Sequence, residues 1–503
     1  MAAAAAAADR LSALPEKALV SVLSQLRSDE AARTSGLSRR WRRVHEAVPV
    51  IDLADTKCGD RYGGASDNKL CFDLQVTSAI FSKAAYTPLR AFRLSAFHPP
   101  YDLLDQWVVT AVTSGAEELD LTLRYWDSAM RRLCPFSGSE ESPSTDFCRD
   151  DQKRFTATQR HIFRCRSLRR LGLANWSLDL PSMPMPMPMP ALDTLCLSRI
   201  MDPAKLLPRL LASCPSLASL TLEQCPTIVD LEVPCLSLRN FSMLCCHNAK
   251  AVALRTARLE SLRFKGGLAT VFQIANHRGI RALTIDICEE LSSKSPKEIA
   301  PVTTLIGRCS NLDYLHLSLR PSIAYYSSLF TGVLRELRWL RRLSLEGCLL
   351  TAHGVKSVAA LLANTHNLEE LSLFPLAPPP PKNEQLYDGY DTVYGGSDSD
   401  TEEEDGGGIG IGTGAVNDGG TRMPDCLWRM NVGCLNRKVR RIGLWNYQGQ
   451  ALDKMLARFL LSRAAVLEEF SVRLADERDP RKDEIAKELG SWPWNSHTTV
   501  TCK

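Results

Sequence analysis

From one end of the chain to the other, a single short pattern of apolar positions dominates, L-x-x-L-x-L in its ideal form, repeated between Leu89 and Val472. It occurs at Leu89/Phe92/Leu94, Leu168/Leu171/Leu173, Leu192/Leu195/Leu197, Leu217/Leu220/Leu222, Leu238/Phe241/Met243, Leu259/Leu262/Phe264 and Ile280/Leu283/Ile285. It continues at Leu312/Leu315/Leu317, Leu340/Leu343/Leu345, Leu368/Leu371/Leu373, Val439/Ile442/Leu444 and Leu467/Phe470/Val472, with Ala116/Leu119/Leu121 as a weaker copy. The last two apolar residues of each triplet lie two apart, so they share one face of a short strand, while the first packs the turn leading into it. One unit cannot bury that face alone. Stacked copies can, and the pattern predicts a solenoid with a parallel sheet along one side.

The spacing of the copies predicts what lies opposite the sheet. Triplets beginning at 217, 238, 259 and 280 are 21 residues apart, which leaves little room for a helix on the convex side. Those beginning at 312, 340 and 368 are 28 apart, and the run His353 to Ala363, with Asn364 after it, fits a helix and its exit. The cysteines follow the same rhythm. Cys225, Cys246, Cys288 and Cys348 each fall three positions after a triplet, the Asn/Cys position of the leucine-rich-repeat consensus, and Cys165, Cys214, Cys235 and Cys309 each fall three positions before one. They read as small buried residues lining the turns, with no redox or catalytic role required.

Ahead of the repeats, residues 9–48 carry a different periodicity. Leu19, Val22, Leu23 and Leu26 recur at helical spacing, and Pro15 stands where a helix tolerates a missing amide hydrogen. A second helical run is expected from Asp29 to Leu37 with Ser28 or Asp29 as its cap, and a third from Ser38 with Trp41, Val44 and Val48 on one side. Three short helices in about forty residues bury too little apolar surface to fold alone, so a docked partner is expected.

The order Asp9-Arg10-Leu11, Leu14-Pro15, the Leu19/Val22/Leu23/Leu26 helix, Ala31-Ala32-Arg33-Thr34-Ser35 and Leu37-Ser38-Arg39-Arg40-Trp41 closely resembles an F-box. The version is that of plant F-box proteins with leucine-rich repeats. The resemblance implies that these helices dock on a Skp-type adaptor, which hangs the chain on a cullin-RING ubiquitin ligase. Leu14, Pro15, Leu19, Val22, Leu23, Leu26, Leu37 and Trp41 are the contacts it implies. Gly36 departs from the pattern, where a larger aliphatic residue is common, and is expected to loosen the second helix by about 1 kcal/mol. Arg39, Arg40, Arg42 and Arg43 read as a solvated basic face, since no aromatic residues alternate with them.

Polar and proline-rich stretches interrupt the ladder. An insert at about 125–165 has a polar, acidic middle from Ser137 to Asp151, expected as a surface loop. The alternating Met-Pro tract at 183–190 must be extended and reads as a spacer rather than as a ligand for a proline-reading domain. Residues 377–424 hold four consecutive prolines, an acidic run and a glycine-rich tail. That composition reads as a disordered linker, and the glycines do not make a phosphate loop, since they follow acid, precede no clear helix and no Gly-Lys-Ser/Thr follows. Ser397, Ser399 and Thr401 sit among its acids as candidate sites for an acid-directed kinase. Beyond it, a strand over Val439 to Trp445, a helix carrying Leu452, Met455, Leu456, Phe459 and Leu460, and a strand through Phe470 resemble the FBD region that ends many plant F-box/leucine-rich-repeat proteins. That resemblance spans about Val439 to Trp494 and includes the Tyr447-Gln448-Gly449 turn.

Composition narrows the function. With a net charge of +4 and an isoelectric point near 8.3, no nucleic-acid partner is expected. No run approaches the ~18 apolar residues of a membrane span, and the alanine-rich residues 1–8 lack the plan of a signal peptide, reading as a disordered leader. An intracellular protein of nucleus or cytoplasm with reduced thiols follows. Cys245, Cys246 and His247 form the one tempting metal trio, but neighbours in a strand point to opposite faces, so convergence on one ion is not expected and no metal or cofactor is assigned. No Gly-x-Ser-x-Gly, no His-Glu-x-x-His and no distinctive carboxylate pair points to catalysis.

The expected architecture is therefore α/β: a three-helix F-box at 9–48, a leucine-rich-repeat solenoid at 49–376 with its parallel sheet on the concave side and helices or loops on the convex side, and last repeats with the FBD-like region at 425–503. The expected role is that of a non-catalytic substrate receptor of a ubiquitin ligase, the alternative being a repeat scaffold that recruits no ligase. A target protein would be read by outward strand residues: Arg263, Lys265, Asp286, His316, Glu346, Phe374 and Trp445.

Overall fold

A computed structural model describes residues 11–502 apart from Ser12, 56–64, 85–87, 126–154, 182–188, Pro203, Ala269, 291–295, 321–326, 377–429, 477–479 and 493–496. The leader, the middle of the first insert, most of the Met-Pro tract, the Pro/acidic/Gly segment and its three candidate phosphosites lie outside the described residues.

Three helices open the fold: α1 (Glu16–Leu23), α2 (Ser28–Thr34) and α3 (Arg39–Glu46). Strand β1 (Val50–Ala54), helix α4 (Ala65–Ala84), β2 (Ala91–Phe97), helix α5 (Tyr101–Thr113) and β3 (Glu118–Arg124) follow. Next come β4 (Arg170–Ala174), β5 (Thr194–Ser198), helix α6 (Leu207–Ala212), β6 (Ser219–Glu223), β7 (Asp230–Val233), β8 (Asn240–Leu244), β9 (Ala251–Leu254), β10 (Ser261–Gly266) and β11 (Val271–Ile274). Then β12 (Ala282–Glu290), helix α7 (Pro296–Arg308), β13 (Tyr314–Arg320), helix α8 (Ser327–Glu336), β14 (Arg342–Gly347), helix α9 (Ala352–Ala363) and β15 (Glu370–Pro375) complete the long repeats. The chain ends with helix α10 (Gly433–Arg437), β16 (Arg441–Tyr447), helix α11 (Ala451–Arg463), β17 (Glu469–Leu474), helix α12 (Lys482–Ser491) and β18 (Thr499–Cys502).

Fifteen of these strands form one sheet in the order β1-β2-β3-β4-β5-β6-β8-β10-β12-β13-β14-β15-β16-β17-β18, with parallel pairing throughout. All thirteen predicted triplets lie on it, in one register. The second residue of each stacks on the second of the next, from Phe92 on Leu119 through Leu220 on Phe241 and Leu315 on Leu343 to Ile442 on Phe470. The third residues form a second column beside it, and both columns are almost wholly buried. This is a leucine-rich-repeat solenoid. Two further strands, β1 with Ile51 and Leu53 and β18 with Val500 and Cys502, extend the columns at the ends, where the triplet is incomplete.

The spacing rule is realised on the other side. In the 21-residue repeats the chain places the short strands β7, β9 and β11 there, which pair into a second, three-stranded parallel sheet. The longer repeats carry α7, α8 and α9, and α9 runs over Ala352–Ala363 with Asn364 as its C-cap, as its spacing predicts. Seven of the eight turn cysteines are buried, and Cys348 is partly so. Cys225 and Cys246 donate to the carbonyls of Leu197 and Leu222 on the preceding strands, at 3.6 and 3.8 Å. The largest buried side chains, Trp107 and Trp176, keep their indole N–H groups paired, with Thr77 Oγ1 at 3.0 Å and the Leu121 carbonyl at 2.9 Å. Met189, at the end of the Met-Pro tract, is also buried and donates its amide to Ser213, so the spacer reading stops short of it.

A row of left-handed corners marks the end of several strands. His98, Asn175, Arg199, Gln224 and Cys245 follow β2, β4, β5, β6 and β8, with φ between 43° and 65°. Each donates its amide to the next strand's last turn, at 3.0 Å for His98 to Arg124 and 2.6 Å for Cys245 to Lys265. The chain bends sharply there, a conformation Asn adopts readily and Cys at some cost.

The helical head closes onto the first strand. The amide of Asp52 donates to Ser28 Oγ at 2.7 Å, and the Arg27 guanidinium donates to the carbonyl of Ala54 at 3.3 Å, so groups along β1 are taken up by the start of α2. The partner expected for this small unit is thus supplied in part by its own chain.

Leu343→Ala, in the middle of the sheet, is expected to cost about 2–5 kcal/mol, whereas Arg342→Ala, one residue away on the opposite face, removes a half-exposed ion pair with Asp313 and a contact over the Tyr314 ring and should cost about 1 kcal/mol or less. Urea-denaturation midpoints of the two variants check this, and equal shifts would contradict the assignment of faces.

Candidate docking surfaces

The head is built around a core of its own. Leu19 and Leu23 of α1 meet Trp41 and Val44 of α3, with Val48, Val50 and Ala91 beneath. Ser38 caps α3 by accepting from the Trp41 amide at 3.3 Å. Lys83 of α4 donates to the carbonyls of His45 and Val48 at 2.8 and 3.0 Å, clamping the end of α3 to the solenoid. Burial there pulls the Lys83 ammonium down to about 8, with Glu46 opposing.

The predicted head contacts divide into two sets. Leu19, Leu23 and Trp41 are at most 6% exposed and pack into the head's own core. Leu14 is half-buried against the same core, while Pro15, at the N-cap of α1, is exposed. Leu26 and Leu37 fall in turns beyond the helices, because α1 ends at Leu23 and α2 at Thr34, earlier than their periodicity suggests. Val22 is 44% exposed, Leu26 36% and Leu37 70%; Leu11 joins them. Four of the twelve large apolar side chains exposed among the described residues thus lie within residues 11–37.

The second surface runs across the concave face. Lys265, Asp286, Ser318, Glu346 and Phe374 are aligned on adjacent strands by register, and Trp445 of β16 comes next. Lys265 and Asp286 form an ion pair at 2.6 Å, and His316 meets Glu346 at 3.4 Å and the edge of Phe374 at 5.9 Å between ring centroids. Phe374 stacks on Trp445, with planes 4° apart and centroids at 5.3 Å, and the Arg473 guanidinium lies over the indole. Gly443 makes room for it, since a Cβ there would come within 3.1 Å of Trp445 Nε1. The structure therefore brings six of the seven predicted target residues into one stripe; Arg263 lies beside it, exposed on β10. Ser318 went unnoticed because a serine beside a leucine carries no signal of its own. Asp286 Oδ1, Ser318 Oγ and Trp445 Nε1 are buried along this stripe with no hydrogen-bond partner among the described residues.

Of the sulfur-rich trio, Cys246 turns inward to the Leu222 carbonyl, as alternation requires. Cys245, at its left-handed corner, does not follow that alternation. Among the described residues no helix is long and apolar enough to cross a membrane.

Fold and surfaces together define a leucine-rich-repeat solenoid with a helical head and an outward-facing stripe of mixed aromatic and charged residues. A family model described as the leucine-rich repeats of FBD-associated F-box protein At5g56370 matches residues 145–271. F-box/FBD/LRR-repeat protein At2g26030 of Arabidopsis thaliana is 22% identical over 97% of this chain and 98% of its own. Putative F-box/LRR-repeat protein At3g44810 of the same plant is 27% identical over 61% of this chain and 65% of its own. The chain resembles plant F-box/leucine-rich-repeat proteins with a C-terminal FBD-like region, and it does so along nearly its whole length.

Because Lys83 titrates near 8 in the folded chain against 10.5 in the unfolded one, the unfolded state holds the extra proton in that window and stability rises with pH across it. The contribution is present above 10.5 and is lost as pH falls through about 8. Lys83→Met should remove this dependence. Thermal unfolding of wild type and variant across the window tests it, and parallel pH profiles would refute it.

Proposed function

We propose that this chain is the substrate-recognition subunit of an SCF-type cullin-RING ubiquitin ligase. The exposed residues of the head bind a Skp-type adaptor, and the concave stripe binds a target protein. The observation that carries the reading is the concentration of Leu11, Val22, Leu26 and Leu37 on a head whose own core is already closed, since apolar side chains left in water beside a finished core mark a docking surface. The relatives' names, F-box/FBD/LRR-repeat and F-box/LRR-repeat, support it.

The head lies at β1 and the stripe begins at β10, seven strand spacings away in the sheet, or roughly 34 Å along it at about 4.8 Å per strand. Adaptor and target are therefore held side by side without competing for surface. The chain contributes proximity: it raises the effective concentration of a target lysine near a ubiquitin-charged partner, and none of its own side chains takes part in bond chemistry. Phe374 and Trp445 are the anchors on the target side, being large, stacked and partly desolvated.

Val22→Glu/Leu37→Glu should weaken capture of a Skp-type adaptor at least tenfold while leaving the melting temperature unchanged. Leu14→Ala/Pro15→Ala tests the entry to α1 in the same assay. Trp445→Ala should keep the adaptor and lose the target, seen as proteins that accumulate in cells expressing the variant. A wild-type chain that fails to bind the adaptor would overturn the reading in favour of a scaffold without a ligase.

A further inference from the structure

Cys245, His247 and Cys288 come from two different repeats and meet at the C-terminal rim of the sheet. Cys245 and His247 follow β8, and Cys288 lies on β12, the two strands that flank β10. One sulfur from each cysteine and one ring nitrogen of the histidine lie within 4.8 Å of one another. Cys245 and Cys288 are 9% and 1% exposed and pack together, apart from the main core.

Alternation along a strand would send Cys245 and His247 to the face opposite Cys246 but spread them along the sheet. The corner at Cys245, with φ of 55°, bends the chain instead, and its amide is tied to the Lys265 carbonyl at 2.6 Å. A left-handed cysteine is a strained choice where Asn175 and Gln224 fill the equivalent corners of other repeats. Cys246, meanwhile, is held in the core by the Cys225 amide at 3.4 Å, so the site takes alternate members of the run Cys245-Cys246-His247.

We propose that Cys245, His247 and Cys288 form a binding site for one Zn²⁺ ion, held by two thiolates and one imidazole. This donor set suits a borderline-soft d¹⁰ ion, and three protein ligands leave a fourth position for water or an incoming donor. With Zn–S near 2.3 Å and Zn–N near 2.0 Å, tetrahedral ligand atoms sit about 3.5–3.8 Å apart, so closing on the ion asks for side-chain movements of about 1 Å. Zinc would displace the thiol protons, so binding strengthens as pH rises.

The test uses the full chain, stripped of metal under reductant and titrated with Co²⁺ as a spectroscopic stand-in and then with Zn²⁺ against a chromophoric chelator. The expected result is one ion per chain, a visible cobalt spectrum of the tetrahedral thiolate type, and displacement of cobalt by zinc. Cys288→Ser and His247→Gln should each weaken zinc binding at least tenfold, and Cys71→Ser, on the exposed face of α4, should leave it unchanged. A folded wild-type chain with no cobalt–thiolate band overturns the proposal. So does recovery of a Cys245–Cys288 disulfide from protein that takes up no metal.

Discussion

Every strand of the main sheet offers two inward side chains that stack on those of the next strand. Phe92 and Leu94 are buried by Leu119 and Leu121, which are buried in turn by Leu171 and Leu173, and the same holds to the far end. This mutual burial fixes a single parallel register, because a shift of one residue would turn every apolar pair to water. It constrains the triplets and little else. The segments between them are free to be a three-residue turn with a short strand or a three-turn helix. They can equally be a long insertion: β3 pairs with β4 across 126–154, and β15 with β16 across 377–429, with no change of register.

That economy explains what was legible in the chain. A triplet needs no context to be recognised, and the spacing between triplets states how much backbone is left for the convex side, which is why α9 and the absence of a helix between β8 and β10 could be anticipated. The terminal strands escaped notice for the same reason. In β1 the leading apolar position is spent on the head, where Val48 packs against Trp41 and Leu23, so Ile51 and Leu53 stand without a third partner. The strands β7, β9 and β11 alternate only over four residues, too short a run to separate from the turns around them.

The surfaces were harder to read, because exposure and neighbourhood are properties of the folded chain. Helical spacing gathers Leu19, Val22, Leu23 and Leu26 on one stripe but cannot say where the helix stops or which of them its own chain will cover. Strand parity correctly turned Lys265, Asp286, Glu346, Phe374 and Trp445 outward, whereas the stack of Phe374 on Trp445 depends on two strands separated in sequence by the whole of 377–429. Parity failed outright at Cys245. A backbone that enters the left-handed region no longer alternates, and nothing in the letters Cys-Cys-His announces that it will, or that Cys288 waits two sheet positions away.

The bonds between the head and β1 carry one more consequence. A parallel sheet of fifteen strands has two free edges, each a row of amides and carbonyls able to recruit another extended chain. At β1 the Asp52 amide is occupied by Ser28 and the Ala54 carbonyl by Arg27, so helix α2 lies where a foreign strand would add. The solenoid is thereby given a direction: its β1 edge is capped where the head sits. Stacking of one molecule's first strand on another's last, the simplest route from a repeat array to a fibre, is blocked by the same residues that orient the head.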